Sequence, residues 1–97
     1  MVYGMYFMYE MLDYETMMKY VEKVRATVEQ YGGRYLATDS NVEVIEPPYE
    51  PKHTVIIEFP NREMLGKWYE SPEYQAILPF RMKGARGAAV VVHGVES

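Results

Sequence analysis

Apolar residues run at both parities over Val2 to Tyr9. Tyr3, Met5, Phe7 and Tyr9 share one face of an extended chain, and Val2, Gly4, Tyr6 and Met8 share the other. With both faces largely apolar, this pattern predicts a central strand covered on both sides. The period then changes. Asp13 is a capping residue, and after it Met17, Val21, Val24, Val28 and Tyr31 recur at steps of four and three, with Tyr14 and Met18 widening the stripe. That spacing predicts an amphipathic helix in which Tyr20 and Tyr31 serve packing. The opposite face carries Glu15, Lys19, Glu22, Lys23, Arg25 and Glu29, a solvated charged surface with i,i+4 pairs at Glu15–Lys19 and Arg25–Glu29. Gly32 suits the left-handed position that ends such a helix, so Tyr31-Gly32-Gly33 is a stop signal.

The second strand is predicted in two halves, Arg34 to Thr38 and Val42 to Glu46, interrupted by turn chemistry or a bulge at Asp39-Ser40-Asn41. Pro47-Pro48-Tyr49-Glu50-Pro51 reads as a stiff, polyproline-like loop. His53 to Phe59 is rich in β-branched residues and forms the third strand, closed by Pro60, which has no ladder donor. Asn61 then caps a short helix with Met64, Leu65, Trp68 and Tyr69 on one face. Ser71-Pro72 breaks it and restarts it for another turn or two, with a hydroxyl at the cap and proline at the first helical position. A basic, glycine-bearing loop from Arg81 to Gly87 and a last apolar strand from Ala88 to Val95 complete the chain.

The order β-α-β-β-α-β over residues 1–97 predicts one α+β domain on the ferredoxin-like plan, a four-stranded antiparallel sheet with its helices on one face. In that plan the first and third strands are central, and these are the strands that are apolar on alternate positions of both faces. Helices cover one face. A homodimer packed sheet to sheet is the expected cover for the other, with an open monomer as the competing reading.

Composition narrows the partners. The net charge of −4 disfavours nucleic acid and anionic membrane surfaces. No cysteine is present, which excludes disulfides, thiolate metal sites and a cysteine nucleophile. The apolar start lacks a basic leader, is too short to span a bilayer and runs into Glu10 and Asp13, so a cytoplasmic protein without a membrane partner is expected. Ten tyrosines and eight methionines suit a surface or pocket that is apolar yet needs hydroxyl partners, as well as an ordinary methionine-rich core.

In order along the chain, Tyr31-Gly32-Gly33-Arg34-Tyr35-Leu36, Val42-Glu43-Val44-Ile45-Glu46, Val55-Ile56-Ile57-Glu58-Phe59-Pro60, Trp68-Tyr69-Glu70-Ser71-Pro72-Glu73-Tyr74-Gln75 and Arg81 resemble the domain of unknown function 1330 family. The Trp-Tyr-x-Ser-Pro-Glu-Tyr-Gln segment is the most specific part. The resemblance implies a ferredoxin-like protomer in the dimeric α+β barrel superfamily and a dimer formed by two packed sheets. It supplies no settled activity. Two departures stand out: Thr38-Asp39-Ser40 occupies the place of the family's usual Arg-Gly-Gly, and Glu46-Pro47-Pro48 that of a frequent Glu-Gly.

Glu58, in a strand expected to be central, requires an arginine partner or a raised pKa. Arg34 and Arg81 are the natural partners, and these three are the candidate catalytic set, with Glu58 as a base or orienting group and an arginine holding an anion. A structural ion pair is the alternative. Trp68, Tyr69, Tyr74 and Glu43 are the candidate ligand-binding residues, with the aromatics stacking on a flat organic ligand or simply packing helix to sheet. His53 and His93 lie on separate strands with no metal-ligand spacing, so no metal or cofactor is assigned. The expected function is small-molecule handling, as a cofactor-independent enzyme on a small organic acid, enol or phenol. A non-catalytic binding or assembly module, and a haem-handling protein using His93, are the alternatives.

Overall fold

The computed structural model describes residues 1–95. Its elements follow in the order β1 (Val2–Met11), α1 (Tyr14–Gln30), β2 (Arg34–Asp39), β3 (His53–Phe59), α2 (Arg62–Glu70), α3 (Pro72–Gly84) and β4 (Ala85–His93). The strands form one antiparallel sheet in the order β2-β3-β1-β4, so β1 and β3 are central. This is the ferredoxin-like α+β plan, with the second helical segment broken at Ser71.

The register sorts the side chains. Val2 stands opposite Phe59, Gly4 opposite Ile57 and Tyr6 opposite Val55. Val2, Met8, Ile57 and Phe59 are buried in one cluster with residues of all three helices, so this parity faces the helices. The other parity places Tyr3, Met5, Phe7, Ile56, Val90 and Val92 together on the face turned away from them. No helix among the described residues covers that face, and Val90 and Val92 are exposed there.

In α1 the Asp13 carboxylate accepts from the Thr16 amide at 3.2 Å. The buried face is Met17, Tyr20, Val24, Thr27 and Val28. It is therefore turned by about one residue from the purely apolar stripe expected from spacing, and Tyr14 and Val21 are exposed. Polar satisfaction explains the turn. Tyr20 finds the Tyr74 hydroxyl at 2.9 Å, and Thr27 donates to the Val24 carbonyl at 2.7 Å, so neither hydroxyl is buried without a partner. Gly32 ends the helix at φ +84°, a conformation that favours glycine.

Three boundaries differ from the sequence reading. Val42 to Glu46 is not a strand: β3 pairs with Arg34–Asp39 on one side and β1 on the other, which leaves the later segment no place beside β3. The Asp39 side chain accepts from the Asn41 amide at 2.8 Å and turns the chain away, leaving Ile45 93% exposed. Second, the predicted basic loop is absent. α3 continues for 13 residues to Gly84, passing through Pro79, and Arg81 and Lys83 occupy its last turn. Its buried positions Tyr74, Ile77, Arg81 and Gly84 are spaced three and four apart and pack against α1. At Gly84 the approach is so close that a methyl would lie 2.8 Å from the Met17 amide nitrogen, and the Gly84 carbonyl accepts from the amides of Leu12 and Asp13. Third, β4 begins at Ala85 and ends at His93, before Val95.

Candidate functional site

Between the helix-facing side of the sheet and the helices lies an open cavity of about 690 Å³. Ligand pockets typically span roughly 300–1,000 Å³. Gly4, Tyr6 and Ile57 belong to its sheet side, Tyr20 and Val24 to α1, Leu65 and Tyr69 to α2, and Tyr74 and Arg81 to α3. Gly4 leaves room because it carries no side chain at the centre of β1.

Arg81 dominates the electrostatics. It is 8% exposed, yet no carboxylate lies within ion-pair distance among the described residues. Its guanidinium instead lies 4.5 Å from the centre of the Tyr6 ring and 5.8 Å from that of Tyr20, where the negative faces of the rings partly offset its charge. α3 positions it, through the same stripe that buries Tyr74 and Ile77.

Three phenols, Tyr6, Tyr20 and Tyr74, lie near this cation, while Tyr35 stands beside Arg25, whose guanidinium is 5.4 Å from its ring centre. Burial is the main cause that pushes the Tyr6, Tyr20 and Tyr74 hydroxyls up from their ordinary value and moves Tyr35 to about 12, while Arg81 opposes the shift at Tyr6 and Tyr74. All four are therefore neutral donors at neutral pH. Thr38 and His53, at the edge of the cavity, share a hydrogen bond of 3.0 Å between Oγ1 and Nε2. Thr38, the first residue of the Thr38-Asp39-Ser40 segment, is the one of the three that lines the cavity.

The residues singled out from the sequence do not form one site. Glu58 stands opposite Tyr3 and Arg34, on the sheet face turned away from the helices, because Ile57 and Phe59 on either side face inward. Arg34 Nε meets Glu58 Oε1 at 2.8 Å, so these two pair with each other while Arg81 lies across the sheet. Glu43 is exposed in the connection between β2 and β3 and does not line the cavity. Trp68 and Tyr74 are buried in the wall, 4.2 Å apart between ring centres, and the indole N–H is already donated to Thr27 Oγ1 at 2.9 Å. Tyr69, 38% exposed, is the member of this group that reaches the mouth. His93 is exposed at the end of β4, opposite Val2, while His53 lies opposite Met8 at the far end of β1. No group of three or more His, Asp or Glu side chains that could hold a metal ion occurs among the described residues.

Tyr6, Tyr20, Tyr35 and His53 are among the lining residues that the sequence reading did not assign to the site. The parity of β1 groups Tyr6 with Val2, Gly4 and Met8, but nothing in the pattern says which of two apolar faces meets the helices. Within the described residues, no helix is long and apolar enough to cross a membrane.

Comparison with solved structures places the fold in familiar company. A protein of unknown function from Rhodopseudomonas palustris superposes with a TM-score of 0.78 at 13% identity, covering 99% of this chain and 83% of its own. A crystal structure described as an antibiotic biosynthesis monooxygenase gives 0.58 at 22% identity, over 99% of this chain and 100% of the other. A dimeric protein of unknown function and ferredoxin-like fold from Bacteroides fragilis gives 0.60 at 14% identity, covering 96% and 95%. At such identities the likeness is one of fold. No curated protein matches the chain. The family model for the domain of unknown function DUF1330 matches residues 2–95, and the chain belongs to that family.

Proposed function

We propose that the protein is a small-molecule-handling homodimer whose ligand site is the cavity between sheet and helices. The observation that carries this reading is a cavity of about 690 Å³ that contains a buried arginine among aromatic rings, with no carboxylate of the described residues within ion-pair distance. Structural side chains alone give little reason to bury an unpaired cation, because desolvation disfavours it. The chemistry that suits these residues is cofactor-independent handling of a small organic acid, enol or phenol, with Arg81 as the charged group and the tyrosines as neutral donors. The exposed apolar face of Tyr3, Met5, Phe7, Ile56, Val90 and Val92 supports dimerisation sheet to sheet, since contiguous apolar patches of this kind mark interaction sites. The dimeric state of the Bacteroides fragilis neighbour agrees with it.

Native mass spectrometry of gently purified protein, followed by an NMR screen of small organic compounds, tests both parts. A dimer whose cavity resonances shift with small organic ligands is expected. A monomer at micromolar concentration would remove the dimer. A screen in which no compound moves Tyr6, Tyr20 or Arg81 would remove the ligand site.

A further inference from the structure

The cavity holds an excess of hydrogen-bond donors. Tyr20 and Tyr74 hydroxyls bond to each other at 2.9 Å, and either can donate. Whichever does, the other keeps an O–H with no acceptor among the described residues. Tyr6 and Tyr35 likewise have no hydroxyl partner there. Arg81 adds five N–H groups in a planar fork, with no carboxylate of the described residues within ion-pair distance. The ring faces of Tyr6 and Tyr20 interact with the guanidinium through their π-systems and leave its in-plane donors unused. The acidic residues of the lining, Glu63 and Glu70, belong to α2 and are exposed, with Glu63 engaged by Lys67 at 3.4 Å.

Resting on the reading of this cavity as a ligand site, we infer that its ligand is a planar organic monoanion, whose carboxylate or enolate oxygens accept from Arg81 and from the Tyr20–Tyr74 hydroxyl pair. The head group that suits this end of the cavity is an acceptor, because the guanidinium can only donate and the free hydroxyl of the Tyr20–Tyr74 pair can donate beside it. A carboxylate matches the guanidinium fork with two parallel N–H···O bonds, which a neutral amide cannot do because one of its ends is itself a donor. The body must be apolar and flat, because the walls that receive it are Val24, Ile57, Leu65 and the aromatic rings. Inorganic anions would satisfy Arg81 and leave those walls in contact with water. The raised pKa values of Tyr20 and Tyr74 keep the hydroxyl pair protonated, so it does not repel the charge it receives.

The test is an NMR titration of the intact protein with acid–amide pairs of matched shape: benzoate and benzamide, salicylate and salicylamide, sorbate and its amide. For at least one pair the acid is expected to bind about tenfold or more tightly than the amide, the difference of a charge-assisted hydrogen bond, with shifts at Tyr6, Tyr20 and Arg81. Arg81→Met should abolish that preference. Should Arg81→Met fail to fold, Arg81→Lys decides: it retains the charge and loses the fork, so the acid should still be preferred, at lower affinity. Acids and amides binding the cavity equally, or an acid preference unchanged in Arg81→Met, would overturn the inference and leave the ligand site standing. Cavity resonances that move with none of the six compounds would overturn both.

Discussion

Trp68 Nε1 donates to Thr27 Oγ1 at 2.9 Å, and Thr27 Oγ1 donates onward to the Val24 carbonyl at 2.7 Å. This relay joins α2 to α1 through the core. It explains how a threonine is buried in the middle of a helix and why the only Trp belongs to the cavity wall.

Replacing Thr27 by Val keeps the shape and removes the acceptor, leaving the indole N–H buried without a partner. A loss of about 1–3 kcal/mol is expected from the urea midpoint, with an unchanged m-value, and Thr27→Ser should recover most of it. Equal stability of the Val variant and the native chain would show that the relay contributes nothing.

Ser71 works at two helix ends at once. Its hydroxyl accepts from the Tyr74 amide at 3.1 Å as the cap of α3 and donates to the Trp68 carbonyl at 2.7 Å at the end of α2. Ser71→Ala is expected to cost about 1–2 kcal/mol and to speed hydrogen exchange at the Tyr74 amide. If that amide stays as protected as before, the break between the helices is held by packing alone.

The Arg34–Glu58 pair lies on the sheet face away from the cavity, and the Arg34 side chain is 70% exposed. The Glu58 side chain is only 10% exposed, so Glu58→Gln should cost about 1–3 kcal/mol of protomer stability while leaving ligand affinity in the cavity unaltered. A large loss of binding in this variant would return Glu58 to the site and contradict the register-based placement.

The tyrosines give a pH signature. Burial raises Tyr35 from 10 to about 12 and raises Tyr6, Tyr20 and Tyr74 as well. Below pH 10 these phenols are neutral in both the folded and unfolded chains, so their contribution to stability is fully present. Above it the unfolded chain ionises first, and stability falls as the pH climbs through the folded values. Ultraviolet titration of the folded protein should show Tyr35 ionising near pH 12, and Tyr6, Tyr20 and Tyr74 ionising only above the ordinary phenol value or on unfolding. A single transition near pH 10 in folded protein would contradict the burial of these rings.

Much of the architecture was legible because it rests on local physics. Asp13, Asn61 and Ser71 each cap the helix expected of them, since a short polar side chain satisfies end amides without help from elsewhere. The parity of β1 and β3 and the stop at Gly32 are likewise properties of a few adjacent residues. α3 was harder to read because Pro79 and Gly84 break the usual signs of a helix interior, and its length is decided by packing against α1. Val42 to Glu46 has a strand-like composition, but β3 is already paired on both sides by Arg34–Asp39 and β1.

The candidate site was legible as residue types and not as a place. The sequence alone determined that β1 and β3 present two apolar faces, that Arg34 and Arg81 compete for Glu58, and that the aromatics cluster around Trp68. Alternation with a period of two separates the faces of a strand but carries no sign to say which one the helices cover. Tertiary structure supplied that sign by packing the helices over Val2, Ile57 and Phe59, which sends Glu58 to Arg34 on the far face and sets Arg81 against the Tyr6 ring instead. Contacts between residues far apart in the chain made that choice, and no window of neighbouring residues contains them.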